Sequence, residues 1–312
     1  EVCPFDNPEE FGKAPFDNLL ATMGLNYISG VRTTQSYAEA DFSAFGDGRF
    51  RDFLPRNQDM FGQVRKYFDR AQMRQLNAYV GRMGLLLDGL QNQCTTVLYF
   101  GIEDVQAKYT PKHDCEVGAQ AIGCDLATLR LLRAMLDEGR DFLFADAEDL
   151  TEIARTGRLG GEEIRRILLP GLDVIRPEAL AALRQLKKAG VCVLFAEKLP
   201  HIDALSGQQL QLAGEFEAVS VQEAVQIPDA QEPQFKTLSG SIVRQARYRT
   251  RDSKSMFFLL NPGRTESVVR LPGADARRCT ALDPFTGTIT QECLNRDWTV
   301  PAVRGIFIII EE

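Results

Sequence analysis

Between residues 94 and 235, short runs that are apolar at every position alternate with amphipathic segments. Thr95-Thr96-Val97-Leu98-Tyr99-Phe100 is a mainly β-branched and aromatic run, and residues 126–138 read as a helix that Gly139 ends. A second strand is expected at residues 141–144 and a third at 165–171. Pro177 then sits at a helix's first turn, Gly190 closes that helix, and Val191-Cys192-Val193-Leu194-Phe195 is a fourth strand. A strand with no polar face must be covered on both sides, which parallel sheets achieve with their crossover helices. The pattern therefore predicts an open, doubly wound α/β domain of flavodoxin-like type over residues 94–235.

The flanks read differently. Residues 16–23 suggest a helical turn or two, stopped by Gly24, and Leu25-Asn26-Tyr27-Ile28-Ser29 reads as a short buried strand. A long polar segment follows over residues 31–55, punctuated by Phe42, Phe45, Phe50 and Phe53. From 59 to 90 apolar residues recur at three- and four-residue steps, the mark of a long amphipathic helix. Residues 227–235, with Pro228 and Pro233, have the composition of a connector. Beyond it come short apolar runs at 255–261, 266–271, 279–282 and 305–310. Asn261-Pro262-Gly263, Pro272-Gly273, Asp283-Pro284 and Thr286-Gly287 separate them, which predicts a small antiparallel β-sandwich. At roughly 150 residues per domain, 312 residues suggest about two domains, possibly three, and the expected division is 1–93 as a piece of a barrel, 94–235 and 236–312.

Charge narrows the partners. The chain has 36 Lys and Arg against 43 Asp and Glu, a net charge of −7, so it lacks the basic footprint of nucleic-acid binding. The longest apolar run near the C-terminus, Ile306-Phe307-Ile308-Ile309-Ile310, is far below the roughly 20 residues of a membrane span, and no membrane partner is expected. Seven scattered cysteines without a C-x-x-C spacing suggest reduced thiols of a cytoplasmic protein, with export left open. Residue 1 is Glu, which suggests a processed chain or a piece of a longer one.

The chemistry-bearing residues are few. Lys112-His113-Asp114-Cys115-Glu116 places possible metal ligands side by side, a spacing that sends them in diverging directions, so no metal is expected. Neither G-x-C-x-G nor G-x-S-x-G occurs, and Cys192 lies inside an apolar run. Gly157-Arg158-Leu159-Gly160-Gly161 matches no nucleotide fingerprint, so no cofactor is expected. Carboxylates remain. Glu103 and Asp104 follow the first strand of the α/β domain, where open sheets bind ligands, but position proves no role, and a helix start or a solvated pair is the favoured reading. Arg32, Tyr37, Glu39, Asp41, Arg51 and Asp52 lie on the long polar segment, the mix of groups that grips sugars. A loop packed by its own phenylalanines is the alternative.

Several short motifs, taken in order, resemble a known architecture. Met23-Gly24-Leu25-Asn26-Tyr27-Ile28-Ser29 resembles the last strand of a (β/α)8 barrel in large glycoside hydrolases, and Arg51-Asp52-Phe53-Leu54-Pro55 resembles the loop after it. Tyr79-Val80-Gly81-Arg82-Met83 is similar to their Tyr-hydrophobic-x-Arg-hydrophobic helix. Residues 96–103 and 167–190 are similar to the Val-Leu-Tyr-Pro-Ile-Glu strand and the Leu-Pro-Gly…Pro-Glu-x-Leu pattern of their next domain. Leu282-Asp283-Pro284-Phe285-Thr286-Gly287 resembles a turn of their C-terminal sandwich. The resemblance is to the C-terminal part of α-L-rhamnosidase-like and β-galactosidase-like multidomain glycoside hydrolases. It implies an amidotransferase-like middle domain without its nucleophile, with a structural role often at a subunit interface. It also implies a homo-oligomer and a carbohydrate substrate for the full enzyme. Arg32, Tyr37, Arg51, Asp52 and Glu103 would be the substrate contacts, while the catalytic carboxylates of such a barrel sit on strands this chain lacks. A self-contained assembly or carbohydrate-binding protein and an amidotransferase-like enzyme are the competing expectations.

Overall fold

A computed structural model describes residues 15–31, 70–109, 119–226 and 233–311. The chain is mixed α/β, with one parallel sheet and several antiparallel ones. It divides into two compact units. One comprises Glu1–Leu90, Phe235–Val243 and Met256–Glu312; the other comprises Gln91–Gln234 and Arg244–Ser255.

Two helices come first, α1 (Pro15–Ile28) and α2 (Arg70–Leu87). The first corrects the sequence reading: residues 25–28 are not a strand but the last turn of α1, so the expected barrel strand is a helix. The reason lies in the spacing of the buried residues. Leu20, Gly24 and Tyr27 are buried at steps of four and three, a helical period. Gly24 does not stop the helix but lies on its buried stripe, beside the end of the Leu260 side chain. A Cβ there would lie 2.5 Å from Leu260 Cδ1. Along α2 the buried stripe is Leu76, Tyr79, Met83 and Leu87. The expected helix residues 59–69 lie outside the described residues, as does the polar segment from 32 to 55.

The parallel sheet has strands β1 (Thr96–Tyr99), β2 (Leu143–Ala145), β3 (Arg166–Leu169), β4 (Cys192–Ala196) and β5 (Ala218–Val219). Their order is β2-β1-β3-β4-β5, with every pairing parallel. The intervening helices are α3 (Ile102–Lys108), α4 (Ala119–Asp137), α5 (Ala147–Thr156) and α6 (Pro177–Lys188), and α7 (Val221–Gln226) follows β5. Val97, Ile167, Val193 and Phe195 face one layer, where Leu150 and Ile153 of α5 and Leu180, Leu183 and Leu186 of α6 cover them. Leu98, Leu168 and Leu194 face the other, covered by Leu131 and Met135 of α4 and Ala224 and Val225 of α7. The four strands expected from sequence are present within a few residues of their expected limits. The fifth is two residues long, too short to show a period.

Antiparallel strands follow: β6 (Lys236–Ser239), β7 (Arg244–Arg249), β8 (Ser255–Leu260), β9 (Ser267–Arg270), β10 (Arg278–Asp283), β11 (Thr288–Cys293), β12 (Trp298–Val300) and β13 (Gly305–Ile310). β7 belongs with the parallel-sheet unit and pairs with residues Gln91–Asn92. In the other unit β13 lies between β8 and β10, and β11 flanks β10. β9 lies between β6 and β12 in a second sheet. The two sheets share a core that includes Phe257, Leu259, Val269, Trp298, Val300 and Ile308.

Within this unit α2 is fastened to the β10–β11 turn. Arg82 Nη1 donates to the carbonyl oxygens of Pro284 (3.0 Å) and Phe285 (2.9 Å), while Tyr79 meets the Phe285 ring edge-on. Arg304 covers that ring at 4.3 Å. The helix motif and the turn motif noted in the sequence are thus the two halves of one contact. Replacing Arg82 with Met removes a charged donor from two carbonyls and is expected to cost about 1.5–3 kcal/mol, read as a lower urea midpoint with an unchanged slope.

Candidate functional site

The strand order reverses between β1 and β3, so the carboxyl ends of these strands form the place where an open α/β sheet ordinarily binds ligands. The chain turns from β1 into α3 at Gly101. A Cβ there would lie 3.0 Å from Leu172 Cδ2, so glycine lets the two loops meet. Glu103 and Asp104 follow in the first turn of α3, and both are buried, Asp104 completely. They are therefore at a helix start but not solvated.

Their oxygens are directed at the chain itself. Glu103 Oε1 accepts a hydrogen bond from the Tyr99 phenol and another from the backbone N–H of Arg176 at 3.4 Å. Burial pushes the Tyr99 phenol far above its ordinary pKa, and the Glu103 hydrogen bond adds to the shift, so the phenol remains a donor. Asp104 Oδ1 accepts the backbone N–H groups of Asp173 and Val174, each at 2.9 Å, and Lys108 Nζ reaches Asp104 Oδ2 at 3.1 Å. Two adjacent carboxylates thus pin the loop that leaves β3.

Asp173 sits outside this pair and is partly exposed. Its two oxygens pair with Lys108 and Lys198, and His201 Nδ1 lies 3.7 Å away. Burial raises its pKa, but the hydrogen bonds and charges of the two lysines outweigh that and hold the carboxyl below its ordinary value. Lys108, Asp173, His201 and Asp203 line a cleft of about 440 Å³. Sequence reasoning missed Tyr99, Lys108, Asp173, Lys198 and His201. The one available signal was Lys108 four residues after Asp104, the spacing of helix-face neighbours.

Of the sugar contacts expected from sequence, Glu103 is the one among the described residues. Arg32, Tyr37, Arg51 and Asp52 lie outside them, as do His113, Asp114, Cys115 and Glu116. Among the described residues no three His, Cys, Asp or Glu side chains converge as a metal would need, and no helix is long and apolar enough to cross a membrane. Cys192, which opens β4, has its thiol pKa raised by burial, against the pull of Arg166; burial pushes Cys279 up to about 11. Neither thiol has the lowered pKa of a nucleophile.

No family model matches the chain, and no curated protein matches it in sequence. Solved structures do resemble it. A rhamnosidase from Novosphingobium sp. PP1Y superposes with a TM-score of 0.56 at 15% identity, over 96% of this chain and 30% of that one. The GH42 β-galactosidase Gan42B from G. stearothermophilus gives 0.53 at 10% identity, over 79% and 45%. A β-galactosidase from Bacillus circulans sp. alkalophilus gives 0.51 at 11%, over 77% and 45%. At such identities the likeness establishes a glycoside-hydrolase-like fold. The chain spans less than half the length of each of these enzymes.

The geometry yields three expectations. Asp104→Ala takes the acceptor from two backbone N–H groups and one of two carboxylate partners from Lys108, and should cost about 3–5 kcal/mol in chemical unfolding. Asp146→Ala, which removes the side-chain cap of α5, should cost about 1 kcal/mol. Because the folded pKa of Asp173 is depressed, its contribution is present above the unfolded carboxyl value of about 3.9 and is lost as pH falls through the folded value. Thermal melts between neutral pH and pH ~2 should therefore show a smaller acid loss in Asp173→Asn than in the parent chain.

Proposed function

We propose that this chain is the C-terminal region of a multidomain glycoside hydrolase and that it serves structure and assembly rather than catalysis. The observation that carries this reading is the state of the sheet's carboxyl edge. Where an enzyme of this architecture would keep a nucleophile or a free acid, Glu103 and Asp104 are buried and hold the β3 loop by hydrogen bonds. Glycoside hydrolysis needs two carboxyl groups with open approach to the sugar. The fold likeness to rhamnosidase and β-galactosidase structures, over less than half their length, supports placing those groups elsewhere in a longer protein.

On this reading the parallel sheet, with its 2-1-3-4-5 strand order, is a flavodoxin-like domain of the class I amidotransferase type without its nucleophile. The two antiparallel sheets over one core form the C-terminal β-sandwich. The full enzyme acts on a carbohydrate and assembles as a homo-oligomer through this region. The test uses aryl β-D-galactopyranoside and aryl α-L-rhamnopyranoside with the chain alone, together with its mass by light scattering. Release of the aryl group should stay at the no-protein background, and the mass should be a multiple of 34.8 kDa greater than one. Turnover by the chain that disappears in Glu103→Gln would replace this reading with a catalytic one.

A further inference from the structure

We propose that the corner formed by Phe100 and Phe144 binds one neutral pyranose ring, a site separate from the Glu103–Asp104 edge. The inference rests on the carbohydrate reading above. Among the described residues β2 is the edge strand of the parallel sheet, with β1 as its one neighbour. Phe144 pairs in register with Leu98, and Phe100 follows two residues after Leu98, which puts both rings beyond the covered core at the sheet margin. They are exposed by 51% and 41%. Their planes stand at 81° with centroids 6.3 Å apart, so one ring offers a face and the other a wall. Phe142 braces Phe144 from behind, at 5.4 Å and 82°. The cleft they open, of about 370 Å³, is also lined by Asp146 and Asp149.

The chemistry of the lining selects the occupant. An aromatic face accepts the apolar C–H side of a sugar ring, and carboxylates accept but do not donate, which suits hydroxyl groups. Asp146 is fixed in place by the N–H groups of Glu148 and Asp149, so the acceptors do not swing away from the rings. An anionic ligand would meet like charge. A second copy of this chain would do the same, because a two-fold contact sets Asp146, Glu148 and Asp149 against their own equivalents. A cleft of this size lies at the small-ligand end of the usual range. A quaternary ammonium group would want rings on several sides, whereas this corner has two open rings with the third behind them.

Saturation-transfer NMR on the chain tests this, irradiating aromatic protons in the presence of methyl β-D-galactopyranoside, methyl α-L-rhamnopyranoside or tetramethylammonium. Transfer is expected to the C–H protons of one face of at least one of the two sugars. Phe144→Ala, at an exposed position, should weaken that binding about ten-fold. Leu205→Ala, an exposed apolar residue elsewhere in the same unit, should leave it intact. Transfer to neither sugar, equal transfer in Phe144→Ala, or transfer to tetramethylammonium instead would overturn the proposal. Hydrolysis by the chain would overturn the structural role proposed above, and would leave this binding result to be read by itself.

Discussion

Asp104 is fully buried, and the join between α3 and the loop after β3 is built around satisfying it. A carboxylate taken out of water needs donors, and here they are two consecutive backbone N–H groups, those of Asp173 and Val174, and the Lys108 ammonium. The bonds have a structural consequence. They fix the loop after β3 against the first turn of α3, which sets where α6 begins and where Asp173 stands between Lys108 and Lys198. Glu103 reinforces the same join from Tyr99 to Arg176. At the strand-order reversal, which elsewhere opens a crevice for a ligand, Glu103 and Asp104 are taken up by the protein's own polar groups.

The other unit has an equivalent join of different chemistry. Arg82 supplies one guanidinium to two carbonyls of a Pro-containing turn, and the Phe285 ring is held between Tyr79 and Arg304. In both units short motifs far apart in sequence meet as donor and acceptor. That gives them a physical reason to occur together without any part in bond cleavage.

Much of this architecture is legible in the residues. Wholly apolar runs such as Val97-Leu98-Tyr99 and Val193-Leu194-Phe195 can only be strands covered on both faces, and the sheet bears that out. The failures have definite causes. Gly24 looks like a helix stop because local propensity penalises glycine, but it falls on the buried stripe of Leu20 and Tyr27, and that burial is set by tertiary packing that no local pattern shows. Helix α5 escaped notice although Asp146 and Asp149 form a capping box, because the usual signature has Glu or Gln at the third position. At the site, Glu103 and Asp104 were visible as residues. Their burial was not, since it depends on the β3 loop folding over them.

On the proposed reading, the carboxylates at the carboxyl ends of the strands hold the fold and take no part in sugar chemistry. The most direct measurement compares Asp104→Asn with its parent in a protein extended to full enzyme length, recording both the urea unfolding midpoint and turnover per folded molecule. The account predicts a lower midpoint with unchanged turnover. An unchanged midpoint with turnover lost would contradict it.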